Sequence, residues 1–264
     1  MRARSLASIC PQPDEILGCI HVERIAIFAA LQWECRAVVR QLRCVSRSRG
    51  AACTFWRAAV PGREIWVIKT AVGEERAAAA TNVLRDAGRF DLFFSTGCAG
   101  ALSPQLTPGD LTVATTVIGQ SARFDTDSAQ RECAVATAQR AALPATVGPV
   151  LCSPRALVNV AEKRAAALET GAIAVEMEGA AIAAVAQRVG IPFLSVRAVL
   201  DTAETELPEA GDFMDPQTGS VKLLDVLRHV ARQPAAVSEL FTLQRMMSAA
   251  QRSLEIFFQA WLAA

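Results

Sequence analysis

Apolar positions along this chain follow two alternating patterns. Short apolar runs predict strands at Ile25–Ala29, Thr54–Ala59, Ile65–Thr70, Leu92–Ser95, Leu111–Ile118, Val147–Leu151, Ile173–Val175 and Phe193–Leu200. Helical patterns between them begin near Trp33, Glu74, Ser128, Ala161, Gly179 and Val221. Each apolar face must be buried against another element, so strands alternating with helices imply a sheet covered on both sides. The turn Val60-Pro-Gly-Arg63 joins two strands directly and predicts an antiparallel hairpin. The expected fold class is α/β, a single domain with a central mixed β-sheet flanked by helices.

The two ends depart from this pattern. Residues 1–23 begin with basic residues, but Pro11, Pro13, Asp14 and Glu15 interrupt any apolar core of a signal peptide. They are expected to form a disordered N-terminal extension, with the α/β domain covering 24–234. From 235 to 264, Leu240, Phe241, Met247, Leu254, Phe257, Phe258, Trp261 and Leu262 make a broad apolar stripe on one long helix. Packing on the domain or on a partner subunit of a homo-oligomer, such as a homodimer, is the default for such a stripe. Membrane contact or a greasy substrate is the sharper alternative.

Composition narrows the classes. The chain has 264 residues, 52% hydrophobic and 20% charged, which excludes a disordered chain and supports a sizeable core. A formal charge of +1 leaves no electrostatic footprint for nucleic acid. The arginines between Arg36 and Arg49 lack interleaved aromatics and read as a solvated helix end and loop. Eight cysteines at irregular spacing, with two histidines, offer no zinc pattern, so no metal and no cofactor are expected. Reduced, buried thiols fit a cytoplasmic protein.

The chemistry concentrates where apolar runs meet carboxylates. In Ala172-Ile-Ala-Val-Glu-Met-Glu-Gly179 a buried strand opens onto a helix at Glu176 and Glu178, the end of an α/β sheet where ligands bind. This segment resembles the V-E-M-E motif of the nucleoside phosphorylase/nucleosidase family, closest to the 5′-methylthioadenosine/S-adenosylhomocysteine nucleosidases. Three more segments follow the family order. Arg24-Ile-Ala-Ile-Phe-Ala-Ala-Leu-Gln-Trp-Glu34 is similar to its first strand and acidic loop. Phe94-Ser-Thr-Gly-Cys-Ala-Gly100 is similar to its T-G-S-A-G segment, and Phe193-Leu-Ser-Val-Arg-Ala-Val-Leu-Asp201 to its V-R-A-I-S-D strand.

The resemblance implies cleavage of the N-glycosidic bond of a purine nucleoside, with adenine as the base. It makes Asp201 the general acid to N7 and Glu34 the carboxylate that activates water. Arg197 would hold that carboxylate and the water, Glu178 would accept from the ribose hydroxyls, and Met177 would pack under the ribose. Glu176 and Cys98 complete the substrate-binding set. Two departures stand out: Cys98 replaces a serine, and Leu200 replaces the serine before the acid. No Phe follows Cys152-Ser-Pro-Arg-Ala-Leu157, so the sequence gives no support for aromatic stacking on adenine.

Water is favoured over phosphate as nucleophile, because Glu34 would repel an anion and the first loop has no arginine. Glu162-Lys-Arg-Ala-Ala-Ala-Leu-Glu-Thr-Gly-Ala172, Leu207-Pro and the terminal helix are similar to the hopanoid-associated nucleoside phosphorylases. That likeness keeps open a phosphorylase acting on a lipid-linked nucleoside such as adenosylhopane. A nucleoside-binding protein without catalysis is the reading of another class.

Overall fold

The computed structural model describes residues 23–43, 45–50, 53–84, 88–206 and 236–264, excluding the side chains of 236–240. Its strands are β1 (Glu23–Ala29), β2 (Ser46–Arg49), β3 (Thr54–Val60), β4 (Arg63–Lys69), β5 (Leu92–Ala101), β6 (Leu111–Ile118), β7 (Arg123–Asp125), β8 (Ala145–Cys152), β9 (Ala174–Glu176) and β10 (Phe193–Asp201). The described helices are α1 (Gln32–Val39), α2 (Glu74–Leu84), α3 (Ser128–Arg140), α4 (Val160–Thr170), α5 (Gly179–Val189) and α6 (Ala236–Leu262). The extension before Glu23, the helix expected near Val221 and the Leu207-Pro feature lie outside the described residues.

Strand β5 organises the sheet. It pairs in parallel with β1 through Leu92–Ser95 and with β10 along most of its length, and antiparallel with β9 at Gly100 and Ala101. Pairings of β10 with β6, β6 with β8 and β8 with β9 then return to β5, so five strands close on themselves. From β5 the sheet continues outward as β1, β4, β3 and β2. The mixed sheet expected from the sequence is thus an open sheet fused to a closed ring.

Alternation along the inner strands separates two cores. Ile25, Ile27, Leu92 and Phe94 face α1, α3 and α6, meeting Cys35, Val38, Ala134, Ala138, Leu254 and Phe258. Ala26, Phe28 and Phe93 face the other way, onto Ala77, Ala80 and Leu84 of α2 and Ile182, Val185 and Ala186 of α5. The α6 helix is therefore part of the domain core: Phe94 makes ring contacts with Phe257, Phe258 and Trp261. The stripe on the last half of α6 is covered by the chain itself.

The hairpin is as expected, with Thr54–Val60 antiparallel to Arg63–Lys69. The arginine-rich stretch is a correction. Ser46–Arg49 is an edge strand on β3, exposed at all four positions, and backbone pairing holds it without an apolar pattern to reveal it. No helix among the described residues is long and apolar enough to cross a membrane.

Candidate active site

The parallel strands β1, β5 and β10 end on the same side of the sheet, and the residues singled out in the sequence gather there. Glu34 stands in the first turn of α1, just past β1. Its Oε2 accepts hydrogen bonds from the Ala30 and Leu31 backbone N–H groups at 3.0 and 2.8 Å. Its Oε1 accepts from the Cys98 backbone N–H at 2.9 Å. These bonds tie the loop after β1 to the end of β5.

Gly97 makes that approach possible. Its φ is +140°, and a Cβ there would lie 2.7 Å from Glu34 Oε1 and 2.9 Å from Arg197 Nη1. Only glycine fits both the backbone angle and the space.

Arg197 is buried at 1% exposure on β10. Its Nη2 donates to Ser95 Oγ at 2.7 Å and to Glu176 Oε2 at 2.5 Å, and its Nη1 donates to the Thr96 carbonyl at 2.9 Å. The same Nη1 lies 3.9 Å from Glu178 Oε2. Arg197 therefore does not hold Glu34, as the resemblance implied; it pairs with Glu176, while Glu34 stands across Gly97 and is held by backbone N–H groups. Burial works against the guanidinium cation, but Glu176, Glu178 and Glu34 together keep its pKa above the ordinary arginine value.

The two acidic residues around Met177 have different surroundings. Glu176 accepts from Glu178 N, from Gly179 N with both oxygens, and from Arg197. Three donors thus engage Glu176, the single Gly179 N–H being shared between its two oxygens and the Arg197 guanidinium pairing with its charge. Glu176 anchors the α5 N-terminus and Arg197. Glu178 accepts one backbone bond, from Gly73 at 2.9 Å. Burial first, and then the Glu176 charge, push the Glu178 carboxyl up to about 8, against the pull of Arg197 and the Gly73 N–H. Met177 lies partly exposed between them.

The loop that brings Gly73 includes Ala71 at φ 63°, a conformation rare for a residue with a side chain. Cys98 is half-buried, and burial together with Glu34 pushes its thiol pKa well above the ordinary value, so it stays protonated.

Asp201 ends β10 beside Gly100, whose Cβ would lie 3.3 Å from Asp201 Oδ1. Its Oδ2 accepts a hydrogen bond from the buried ammonium of Lys163 on α4. Burial raises the Asp201 carboxyl above its usual range although Lys163 pulls the other way. The sequence reading quoted Lys163 only as part of a segment. A signal was present: Lys163 occupies the Val160–Ala167 face of α4, where an apolar residue is expected.

Among the described residues no group of histidine, cysteine and acidic side chains is arranged to hold a metal. Cys35, Cys53, Cys98, Cys133 and Cys152 are free thiols. A cavity of about 400 Å³, lined by Leu84, Phe90, Val185 and Pro192, lies at the opposite end of the sheet from these carboxylates.

Residues 24–237 match the model of the Phosphorylase superfamily. Among solved structures, the S-adenosylhomocysteine nucleosidase of Streptococcus pyogenes, in complex with 5-methylthiotubericidin, is similar with a TM-score of 0.73 and 19% identity, over 93% of this chain and 98% of that one. Futalosine hydrolase of Helicobacter pylori gives a TM-score of 0.73 at 17% identity, over 92% of this chain and 98% of that one. The 5′-methylthioadenosine/S-adenosylhomocysteine nucleosidase of Neisseria meningitidis, in complex with methylthio-immucillin-A, gives 0.71 at 20% identity, over 92% of this chain and 100% of that one.

Proposed function

This chain belongs to the phosphorylase superfamily, and we propose that it is a purine nucleosidase that cleaves the N-glycosidic bond of an adenine nucleoside with water. The observation that carries this reading is the distribution of acceptor capacity among the three glutamates. Glu176 accepts from two backbone N–H groups and the Arg197 guanidinium, Glu34 from three backbone N–H groups, and Glu178 from one. With about four lone-pair positions per carboxylate, Glu178 retains room for a vicinal diol, and Glu34, held by neutral backbone N–H groups rather than by a guanidinium, keeps its charge for a water.

Cleavage requires a proton for the departing base and a nucleophile for the electron-poor sugar, as in other glycoside hydrolysis. Glu34 takes the water proton as water attacks the anomeric carbon. Glu178 accepts from the ribose 2′ and 3′ hydroxyls and supports the positive charge that develops on the ring. Met177 packs against the ribose, and Asp201 delivers a proton to N7 of the base. Glu176 and Arg197 hold this arrangement without touching the reacting atoms.

Water is preferred to phosphate on electrostatic grounds. Three carboxyl groups surround the Arg197 guanidinium, and both its terminal nitrogens are already engaged by the protein. An anionic nucleophile would meet net negative charge. The last half of the α6 stripe, one of the features similar to the hopanoid-associated group, is buried in the domain core, while Phe241 is exposed.

The test is a base-release assay on adenosine, methylthioadenosine, adenosylhomocysteine and a lipid-linked adenosine, with and without phosphate. The expected products are free base and free sugar at a rate indifferent to phosphate. Sugar 1-phosphate as product would replace hydrolysis with phosphorolysis. Tight nucleoside binding without release of base would identify a binding protein.

A further inference from the structure

Lys163 has no task in the reaction as described, yet it is 1% exposed and aims its ammonium at the acid. An ammonium has three hydrogens to donate, and all three have acceptors here. These are Asp201 Oδ2, the Thr202 carbonyl at 2.9 Å and the Thr205 carbonyl at 2.7 Å. The two carbonyls belong to one turn, closed by a 3.2 Å bond from Thr205 N to Thr202 O and a 2.7 Å contact between the two threonine hydroxyls. The base of the side chain is equally fixed. Asn159 caps α4, and its carbonyl accepts from Lys163 N at 3.2 Å.

Stability alone is a poor reason for this arrangement. Burying an ammonium and a carboxylate costs enough desolvation that an apolar pair of similar size is often as stable or more so. The pair does achieve a fixed orientation. Lys163 occupies Oδ2 and leaves Oδ1 in the gap above Gly100, where the missing Cβ gives it room.

We infer that Lys163 is a positioning residue for this reaction, fixing the Asp201 carboxyl and the turn that follows it so that Oδ1 is the oxygen presented to the departing base. This rests on the reading of Asp201 as the acid. Lys163 also acts on that acid as a charge. Among the described residues it is the charged group against Asp201, while β5 presents Gly100 and β9 presents Val175, neither of them titratable. An opposite charge in contact lowers a carboxyl pKa by about 1–3 units. Without Lys163, Asp201 keeps its proton to higher pH.

The experiment is the pH profile of kcat, which reports groups in the substrate complex. It is measured for the wild type, Lys163→Met, Lys163→Gln and Lys163→Arg, with Asp201→Asn alongside. The glutamine variant keeps donors for the turn carbonyls and is read if the methionine variant does not fold. The expected result is an alkaline limb moved up by about 1–3 pH units in the uncharged variants, with a lower plateau, and returned toward the wild-type position by arginine. Loss of thermal stability or of kcat with the limb unmoved would make Lys163 purely structural and overturn the inference. Full turnover by Asp201→Asn would instead remove the acid assignment itself, whatever Lys163 does.

Discussion

Three glutamates of one pocket are chemically identical in the sequence and distinct in the fold, because the chain gives each different partners. Glu34 accepts three neutral backbone N–H groups, whereas one of the three donors on Glu176 is a guanidinium, and this difference is what supports Glu34 as the proposed base. Glu34→Gln retains the shape and removes the base. Base release should fall about 10²–10⁴-fold, with thermal stability checked in parallel to separate chemistry from folding. Gly97→Ala probes the same spot sterically. Its methyl would enter within 2.9 Å of both Glu34 and Arg197, at a backbone angle of +140°. We expect loss of turnover together with a lower melting temperature. Wild-type turnover in this variant would show that the close approach of Glu34 and Arg197 across Gly97 is not required.

At the scale of elements, α6 and β5 carry the most weight. The α6 helix seals one of the two cores, with Leu254, Phe257 and Phe258 fully buried and rings packed on Phe94 of β5. Phe258→Ala should destabilise the domain by about 3–5 kcal/mol, read from urea unfolding, with KM unchanged under conditions where the variant remains folded. Removing all residues after 234 should expose this core and unfold the domain. A truncated chain that stays folded and loses only self-association would return α6 to a subunit interface. Strand β5 supplies Ser95 and Thr96 to Arg197, Gly97 to the Glu34 contact and Gly100 to the Asp201 contact. One strand thus sets the spacing between Glu34 and Asp201.

For the whole molecule, the buried Glu178 couples the site to folding. Its carboxyl is raised from an ordinary value of 4.5 to about 8 by burial and by Glu176. Between these two values the folded protein holds a proton that the unfolded chain has released, so stability falls as pH rises across that window. Unfolding midpoints of the ligand-free protein should decline from pH 5 to pH 8, and Glu178→Gln should flatten that decline. An identical slope in the variant would remove Glu178 as its source. A ribose diol donates to the ionised form, so nucleoside binding should strengthen over the same range.

The sequence by itself determined most of the elements and their order, because apolar period and turn chemistry act within a few residues. Leu111–Ile118 and the starts of α2, α3 and α5 were legible to the residue. Resemblance to family motifs also marked Glu34, Glu178, Arg197 and Asp201. The tertiary structure alone decided what depends on contacts distant in the chain. These are the closure of five strands through β5, the edge strand Ser46–Arg49 held only by its neighbour, and the burial of α6 in the domain's own core. The same holds for the division of labour among the acids. Arg197 took Glu176 rather than Glu34 because β10 places its guanidinium there, and Lys163 reached Asp201 from a helix 38 residues earlier. Local pattern names a charged residue, but only the packed fold fixes how many of its lone pairs are already occupied, and therefore what remains for chemistry.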